Sequence, residues 1–448
     1  MDTPEKKRIL LLITNAYAAT NVIHSGLIRE LAAAYEIYLL SDIIDEEARM
    51  MINKNFSIHI HRCNLQICKE PALLKIARRM EKLLFMNHFH IETQQIKNLE
   101  LPWLRQFLIK IVACLTWFPT LSVFLLHSLR RLIIQLPSAN LAEHIHFDGV
   151  ISTSPLDNRE NRIVNNLKTK QVRSLAIIIS WDNLTSKGVI NADHDYVLVW
   201  NNIMAKEYKQ YYSVLSHQRA KVEITGIPRF DIYNETEIGN AECLSADIPD
   251  NHRIILFATS GIKHFPDQAD ILNHLIKYAE KAKNVTIILR THPGDDATKY
   301  QQFQNHPLLK INYFESITAG SSIPRLDDLQ RLAYALRLCA VCVQVASTIR
   351  LEAALCNKPV ISIAYDGNSR MPDHLSVKRL YSYSHQLALN KLGIDQPVYS
   401  KAELFQHLDS LLTGKQMIYN RDKLRDFIPQ TKLPASQITM NCIHQWLT

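Results

Sequence analysis

Glycine is scarce in this chain, with 11 in 448 residues alongside 17 proline. That excludes collagen-like and linker-rich architectures. Neither a GxGxxG string nor a Walker phosphate loop occurs, so a dinucleotide fingerprint and a P-loop are not expected. Cysteine is also sparse, at eight residues without the paired CxxC spacing of a zinc site. Cys339 and Cys342 form one CxxC, but it sits in the apolar run LRLCAVCVQVAS and reads as buried free thiols. Such usage fits a reducing, cytosolic compartment. No apolar run reaches the roughly 20 residues that span a bilayer. The longest, IVACLTWFPTLSVFLL, has 16 residues with Pro119 in its middle. The N-terminal RILLLIT is short and grades into a polar loop, as a first core strand does and a signal peptide does not.

Apolar residues make up 47% and charged residues 21%, which excludes an intrinsically disordered chain. The length suits two domains of about 200 residues each. Lys and Arg total 51 against 43 Asp and Glu, a net charge of +8. This modest surplus suits anionic substrates or an anionic membrane face, and equally a soluble surface with extra lysine. It does not imply nucleic acid.

Short Val-, Ile- and Leu-rich runs bounded by polar turns recur along the chain: RILLLIT, EIYLLSD, FSIHIHRC, FDGVISTS, RSLAIIIS and DYVLVWN, then HRIILFATS, VTIILRTHP, LKINYF, AVCVQVAS and KPVISIAY. Amphipathic stretches such as ADILNHLIKYAEKAKN and LDDLQRLAYALRLC alternate with them. The pattern predicts an α/β protein with two Rossmann-like, doubly wound domains facing a cleft. The expected division is a domain over 1–228, a polar linker over 229–250, a second domain over 251–420, and C-terminal helices over 421–448 that can pack back on the first domain. Residues 103–136 break the rhythm. They are apolar, flanked by Arg105, Lys110, Arg130 and Arg131, and interleaved with Trp103, Trp117 and Phe118. A monotopic membrane-surface helix pair has this composition, and so does a buried helical hairpin.

Ligands of open α/β sheets bind outside the carboxyl ends of the strands, and the chemistry-bearing motifs fall there. In RTHPGDD, Arg290 and His292 end a strand and can bind a phosphate, with Pro293 fixing the chain direction; a turn with a solvated Arg is the plainer reading. In ASTIRLEA, Ser347 and Thr348 open a helix. Glu352 lies one turn on, where a carboxylate can accept both ribose hydroxyls. An ordinary capped helix with an acid in its first turn fits as well. In FATSGIKHF, Ser260 and Gly261 follow the first strand of the second domain, where glycine lets backbone approach a phosphate. In SWDNLTSKG, Asp182 stands where a carboxylate can deprotonate a hydroxyl nucleophile, or can close an Asx-turn. His24, near the first helix, is the second candidate base, or a capping histidine. Asp295-Asp296 and Asp327-Asp328 are adjacent acids without the placement of a metal-binding DxD. The second pair reads as a helix cap, and no metal site or cofactor is expected.

Taken together, these features resemble the GT-B glycosyltransferase architecture. The His-Pro of RTHP and the Ser-Thr of ASTIRLEA resemble the His-Pro and Ser motifs of bacterial sialyltransferases, capsule Kdo transferases and CDP-glycerol glycerophosphotransferases. WDNLTSKG, ITGIPRFD and LEAALCNKPVISI look like segments of surface-polysaccharide enzymes of this type. The resemblance implies a bacterial enzyme of capsule or lipopolysaccharide synthesis, cytoplasmic or peripheral on the inner face of the membrane. His292 and Pro293 would then face the nucleotide, and Ser347 and Thr348 its phosphate. It implies metal-independent transfer of a sugar or glycerol phosphate from a nucleotide donor, favoured as CMP- or CDP-linked, to a hydroxyl of a surface glycan or lipid-linked acceptor. The first domain would hold the acceptor and the second the donor. The acidic base motif of sialyltransferases is missing; the nearest string is FDG, whose Asp148 precedes a strand. The paired-Glu motif of many retaining enzymes is missing too, because Gln344 stands eight residues before Glu352. That favours inversion. The alternatives are a UDP-sugar 2-epimerase of the same fold and a non-catalytic glycan-binding or membrane scaffold protein.

Overall fold

The computed structural model describes residues 5–63, 66–67, 70–135, 139–140, 145–215, 220–235, 244, 247–413, 424–429 and 431–448. They divide into two compact units. The first comprises Met1–Asp231, Ile317–Leu326 and Leu424–Thr448, and the second Ile232–Ser316 and Asp327–Lys423.

The strands of the first unit are β1 (Arg8–Leu12), β2 (Glu36–Leu40), β3 (Ile60–Arg62), β4 (Gln66–Ile67), β5 (Ala139–Asn140), β6 (Gly149–Ser152), β7 (Arg173–Ile177), β8 (Tyr196–Val199) and β9 (Lys221–Ile224). Seven of them form a sheet in the order β3-β2-β1-β6-β7-β8-β9, and β4 pairs with β5 in a separate antiparallel ribbon. Every pairing in the large sheet is parallel. Alternate residues of β1 serve its two faces, as the period-two pleat requires. Ile9 and Leu11 join the core under helix Leu27–Ala34 and the C-terminal helix Ala435–Leu447. Leu10 and Leu12 join Ile163, Val164 and Leu167 of helix Asn158–Thr169 on the other face. Trp446 is buried so close to β6 that a Cβ on Gly149 would lie 2.5 Å from its ring, so only glycine fits there.

The second unit contains β10 (Arg253–Ala258), β11 (Val285–Arg290), β12 (Leu309–Asn312), β13 (Val341–Gln344), β14 (Val360–Ile363) and β15 (Gln396–Val398). They form one all-parallel sheet in the order β12-β11-β10-β13-β14-β15. Both sheets reverse their winding once, between β1 and β6 in the first and between β10 and β13 in the second. Buried apolar strands with helical crossovers account for both sheets.

The structure corrects the expected division. Residues 317–326 fall inside the predicted second domain, yet they belong to the first unit. Ile317 and Ile323 are buried in its core, and Thr318 donates to Asp45 at 3.3 Å. The short edge strands β9 and β15 were not anticipated, because KVEI and QPV are too short and too polar to stand out. Residues 236–243 and 245–246 of the predicted linker lie outside the described residues.

The helical insertion resolves into Ala72–His88, Glu92–Leu99, Trp103–Cys114 and Pro119–Gln135. The last buries one stripe, Ser122, Leu126, Arg130 and Ile133. There Arg130 donates to Asp193 at 2.7 Å and to the Ile190 carbonyl at 2.5 Å. Helix Trp103–Cys114 buries no residue. No single helix among the described residues is long and apolar enough to cross a membrane; one pair, Trp103–Trp117 with Pro119–Gln135, passes that test together but is bent by 113°.

Candidate functional site

The tips of β10, β11 and β13 gather most of the residues singled out in the second half of the sequence. After β10 the chain runs Thr259-Ser260-Gly261. Gln268, buried at the start of helix Gln268–Lys281, clasps this turn: its side-chain oxygen accepts from the Ser260 backbone N–H at 2.5 Å, and its nitrogen donates to the Ser260 carbonyl at 2.8 Å. The Ser260 residue is 8% exposed, and its hydroxyl has no protein partner. A buried hydroxyl in that state is costly unless something else completes it. Gly261 has neither a left-handed φ nor crowding: an added Cβ would meet only ordinary contacts, the nearest at 3.7 Å. The protein alone therefore does not demand glycine at this position.

The loop after β11 is tied to the same turn. Thr259 accepts from the His292 backbone N–H at 2.9 Å, and the Ile262 N–H donates to the Gly294 carbonyl at 2.9 Å. The Nδ1 of His292 accepts from the Gly294 N–H at 2.9 Å. That bond places the ring proton of the neutral imidazole on Nε2. His292 and Pro293 are exposed. Loops crowding the ring partly desolvate it, and this, with His264 and Arg290 nearby, holds its pKa below the ordinary value against the pull of Asp295. The result is a neutral donor at the surface of the strand tips.

Arg290 is differently placed from the expected phosphate ligand. It is 8% exposed, and its guanidinium donates to Asp328 at 2.5 Å and to Asn312 at 3.3 Å. Asp328, expected as a helix cap, is thus the partner of Arg290. The arginine positions the β11 tip rather than standing free at it.

Beyond β13, Ala346 has a φ of +41°, in the left-handed region. A buried polar network holds it there. The Tyr381 hydroxyl accepts from the Ala346 N–H at 3.0 Å, and Gln386 donates to the Ala346 carbonyl at 2.8 Å. Gln386 in turn accepts from Arg350, which is fully buried and also donates to Asn390 and Asp395, each at 2.9 Å. Gln344 donates to Ser362 at 2.5 Å and accepts from the Ser347 N–H at 2.7 Å. Ser347 and Thr348 are half-buried, at the head of helix Ile349–Leu355. Seven residues make only a small dipole. Glu352 is 2% exposed, and it contributes, after burial and Cys339, to holding the Cys342 thiol well above its usual range. Cys339 is likewise pushed up to about 12 by burial, as inert core thiols are.

The remaining carboxylates at these tips have work within their loops. Asp295 accepts from the Tyr300 hydroxyl at 2.6 Å, Asp296 from Thr298 at 2.6 Å, and Asp366 from the Val377 N–H at 2.7 Å. Among the described residues no group of three or more His, Cys, Asp and Glu is placed to hold a metal ion.

The two base candidates lie in the first unit. Asp182 is partly buried, accepts from the Ser180 hydroxyl at 2.5 Å, and has the exposed Lys187 ammonium 3.6 Å away. His24 ends a π-turn, with Nε2 at 3.1 and 3.0 Å from the carbonyls of Pro324 and Arg325 and Nδ1 at 3.4 Å from that of Ala19. Both nitrogens face backbone carbonyls, so His24 fastens residues 317–326. Asp148 accepts from the Arg8 N–H at 2.7 Å before β6, at the opposite end of the sheet from the strand tips. At the switch point of this sheet, sequence reasoning missed Glu160. It is fully buried and accepts from Thr14, Ser152 and the Ser154 N–H at 2.7, 2.7 and 2.8 Å. Burial pushes it up to about 7, against the pull of those hydrogen bonds.

No family model and no curated protein matches this chain. Solved structures do. A UDP-GlcNAc 2-epimerase from Neisseria meningitidis, bound to UDP-GlcNAc, aligns at 10% identity with a TM-score of 0.54, covering 98% of this chain and 100% of that one. The UDP-GlcNAc 2-epimerase from Methanocaldococcus jannaschii, in complex with UDP-GlcNAc and UDP, gives 9% and 0.50 over 98% and 99%. The glycosyltransferase of kitacinnamycin gives 9% and 0.51 over the whole of both chains. At such identities the likeness speaks to fold. The chain has the two-domain Rossmann-like GT-B fold, and its neighbours in that fold are enzymes, both glycosyltransferases and epimerases.

Proposed function

We propose that the chain is a nucleotide-sugar enzyme whose second unit holds the donor's phosphate at the tips of β10, β11 and β13, and that it transfers the sugar to a hydroxyl acceptor. The observation that carries this reading is the orphaned, buried Ser260 hydroxyl in the turn that Thr259 ties to the His292 loop, whose exposed ring offers an Nε2 proton. A phosphate oxygen would complete both. Gly261, bare for no reason internal to the protein, would let the backbone approach it. Ser347 and Thr348 would add hydroxyls from the β13 side; Glu352, expected on the ribose, is instead buried against the Cys342 core.

In the transfer, the acceptor oxygen forms a bond to the anomeric carbon. The bond from that carbon to the phosphate oxygen breaks, leaving its electron pair on the phosphate. The acceptor proton would pass to a general base, for which Asp182 is the remaining candidate from the sequence. One displacement inverts the sugar. Donors preorganised around a departing phosphate are worth roughly 3–4 kcal/mol each in such a step. The motif resemblance favours a cytidine donor, as in sialyl, Kdo and CDP-glycerol transfer, and a surface-glycan or lipid-linked acceptor.

Epimerisation is the second reading, supported by the whole-length likeness to two UDP-GlcNAc 2-epimerases. It needs further acid and base groups on the sugar, and Asp295, Asp296 and Asp366 are already committed to their loops.

A binding screen against CMP, CDP, UDP and GDP tests the site. One nucleotide should stabilise the protein, and His292→Ala should weaken it about ten- to hundredfold, the worth of a hydrogen bond to a charged group. Unchanged affinity in that variant would favour a non-catalytic role. Incubation of the donor alone separates the two enzymes: epimerised nucleotide sugar without acceptor sinks the transferase reading.

A further inference from the structure

The helical insertion carries a surface that the nucleotide-sugar reading does not use. Helix Trp103–Cys114 is apolar in composition yet buries none of its residues. Trp103 is 76% exposed, Trp117 77%, Phe124 65%, Phe118 63%, Phe107 56% and Ile111 52%. Scattered exposed apolar residues are ordinary, but a run of large ones over two adjoining helices marks an interaction surface.

The charge on the two helices has one sign. Between Trp103 and Gln135 the chain contains no Asp or Glu. Arg105, Lys110 and Arg131 are exposed on the two helices. Lys75 and Arg79 are exposed on helix Ala72–His88, against which both helices pack. Glu100 lies before the first helix. A second copy of this face would set cations against cations with no acids between them. A sheet of anionic headgroups complements them, while tryptophan suits the boundary between acyl chains and water. The 113° bend at Phe118 matches a pair of helices lying on a surface, not a span through it.

We propose that Trp103–Gln135 docks the first unit onto an anionic phospholipid bilayer, with the aromatic side chains entering the interface and the arginines and lysines on the headgroups. The membrane is bound peripherally, and the contact is independent of the nucleotide site.

Flotation of the full-length protein with vesicles tests this without reading enzymatic activity, so its failure leaves the donor-site proposal untouched. The protein should float with phosphatidylcholine vesicles containing about 30% phosphatidylglycerol, and at least about tenfold less with pure phosphatidylcholine. Raising salt from about 0.05 to about 0.5 M should weaken the bound fraction. The double variant Phe107→Gln/Trp117→Gln should lose flotation while keeping its melting temperature, because both side chains are exposed. Arg105→Glu/Lys110→Glu should lose binding to the anionic vesicles by a separate route. Protein that stays below both kinds of vesicle overturns the proposal, as does equal flotation on both. A dimer that Phe107→Gln/Trp117→Gln dissociates, with no flotation of the parent protein, overturns it in favour of a second copy.

Discussion

At the switch point of the first sheet, between β1 and β6, the carboxylate of Glu160 is fully buried and takes hydrogen bonds from Thr14, Ser152 and the backbone of Ser154. At the matching point of the second sheet, between β10 and β13, the Ser260 hydroxyl is buried with no protein partner, and the exposed His292 lies on the loop that Thr259 ties to its turn. Both sheets are wound the same way, so topology alone offers two candidate sites. Polar bookkeeping separates them. The first cluster closes on itself and holds three chain segments together. The second leaves the Ser260 hydroxyl without a protein partner and the His292 ring exposed, with buried polar groups one layer back in Gln268 and in the Arg350 network. The proposed donor site rests on that difference.

That contrast breaks most sharply at Arg350. If its network sets the β13 loop, Arg350→Met strands Asp395, whose side chain is 5% exposed, without its cation. Removing one partner of a buried pair costs about 3–5 kcal/mol. Urea unfolding should show that loss, and nucleotide affinity should fall with it as the Ala346 loop loosens. A loss under about 1 kcal/mol would mean the loop is held by Tyr381 and Gln344 alone.

The first cluster can be probed through pH. Glu160 has an ordinary value of 4.5 and is raised to about 7 in the fold, so the folded state binds its proton more tightly than the unfolded one. Its stabilising contribution is complete below about 4.5 and is lost as pH rises through about 7. Glu160→Gln imitates the protonated acid. Relative to the parent, the variant should gain about 2–3 kcal/mol between pH 4.5 and 8, read from denaturation at each pH. A flat difference would show that the carboxylate stays ionised and the cluster is a true anion cage.

Local signals made the sheet legible. RILLL, VTIILR and VISI are too short and too uniformly apolar for surface helices, and they stand where the parallel strands stand. The tips were legible for the same reason: Ser260, His292 and Ser347 each follow such a run directly. What stayed hidden depends on partners distant in sequence. Nothing near Arg290 announces that Asp328 will take its guanidinium, and nothing near Arg350 announces Asp395. Nor does HFD at 146–148 predict that Glu160, on the next helix, will fill the first switch point. Residues 317–326 read as part of the second domain because chain order, and not core membership, was all the sequence offered. The apolar insertion left two readings open, since composition does not say which face is covered. Packing does: Pro119–Gln135 buries one stripe, and Trp103–Cys114 packs beside Ala72–His88 without burying a residue.

The smallest effect is the most local one. Ala346 holds a φ of +41° between two hydrogen bonds, from its own N–H to Tyr381 and from Gln386 to its carbonyl. An L-residue in the left-handed region costs roughly 1–2 kcal/mol. Ala346→Gly relieves that strain, and the extra freedom of glycine in the unfolded chain takes back part of the gain. The net should be a stabilisation of about 0.5 kcal/mol, visible as a slightly higher melting temperature. Nucleotide affinity should move the other way, about twofold weaker, because a glycine leaves the unbound loop freer to wander from the shape that presents Ser347. If the two quantities rise together, the strained backbone has no part in presenting the loop, and the second switch point is held open by its side chains alone.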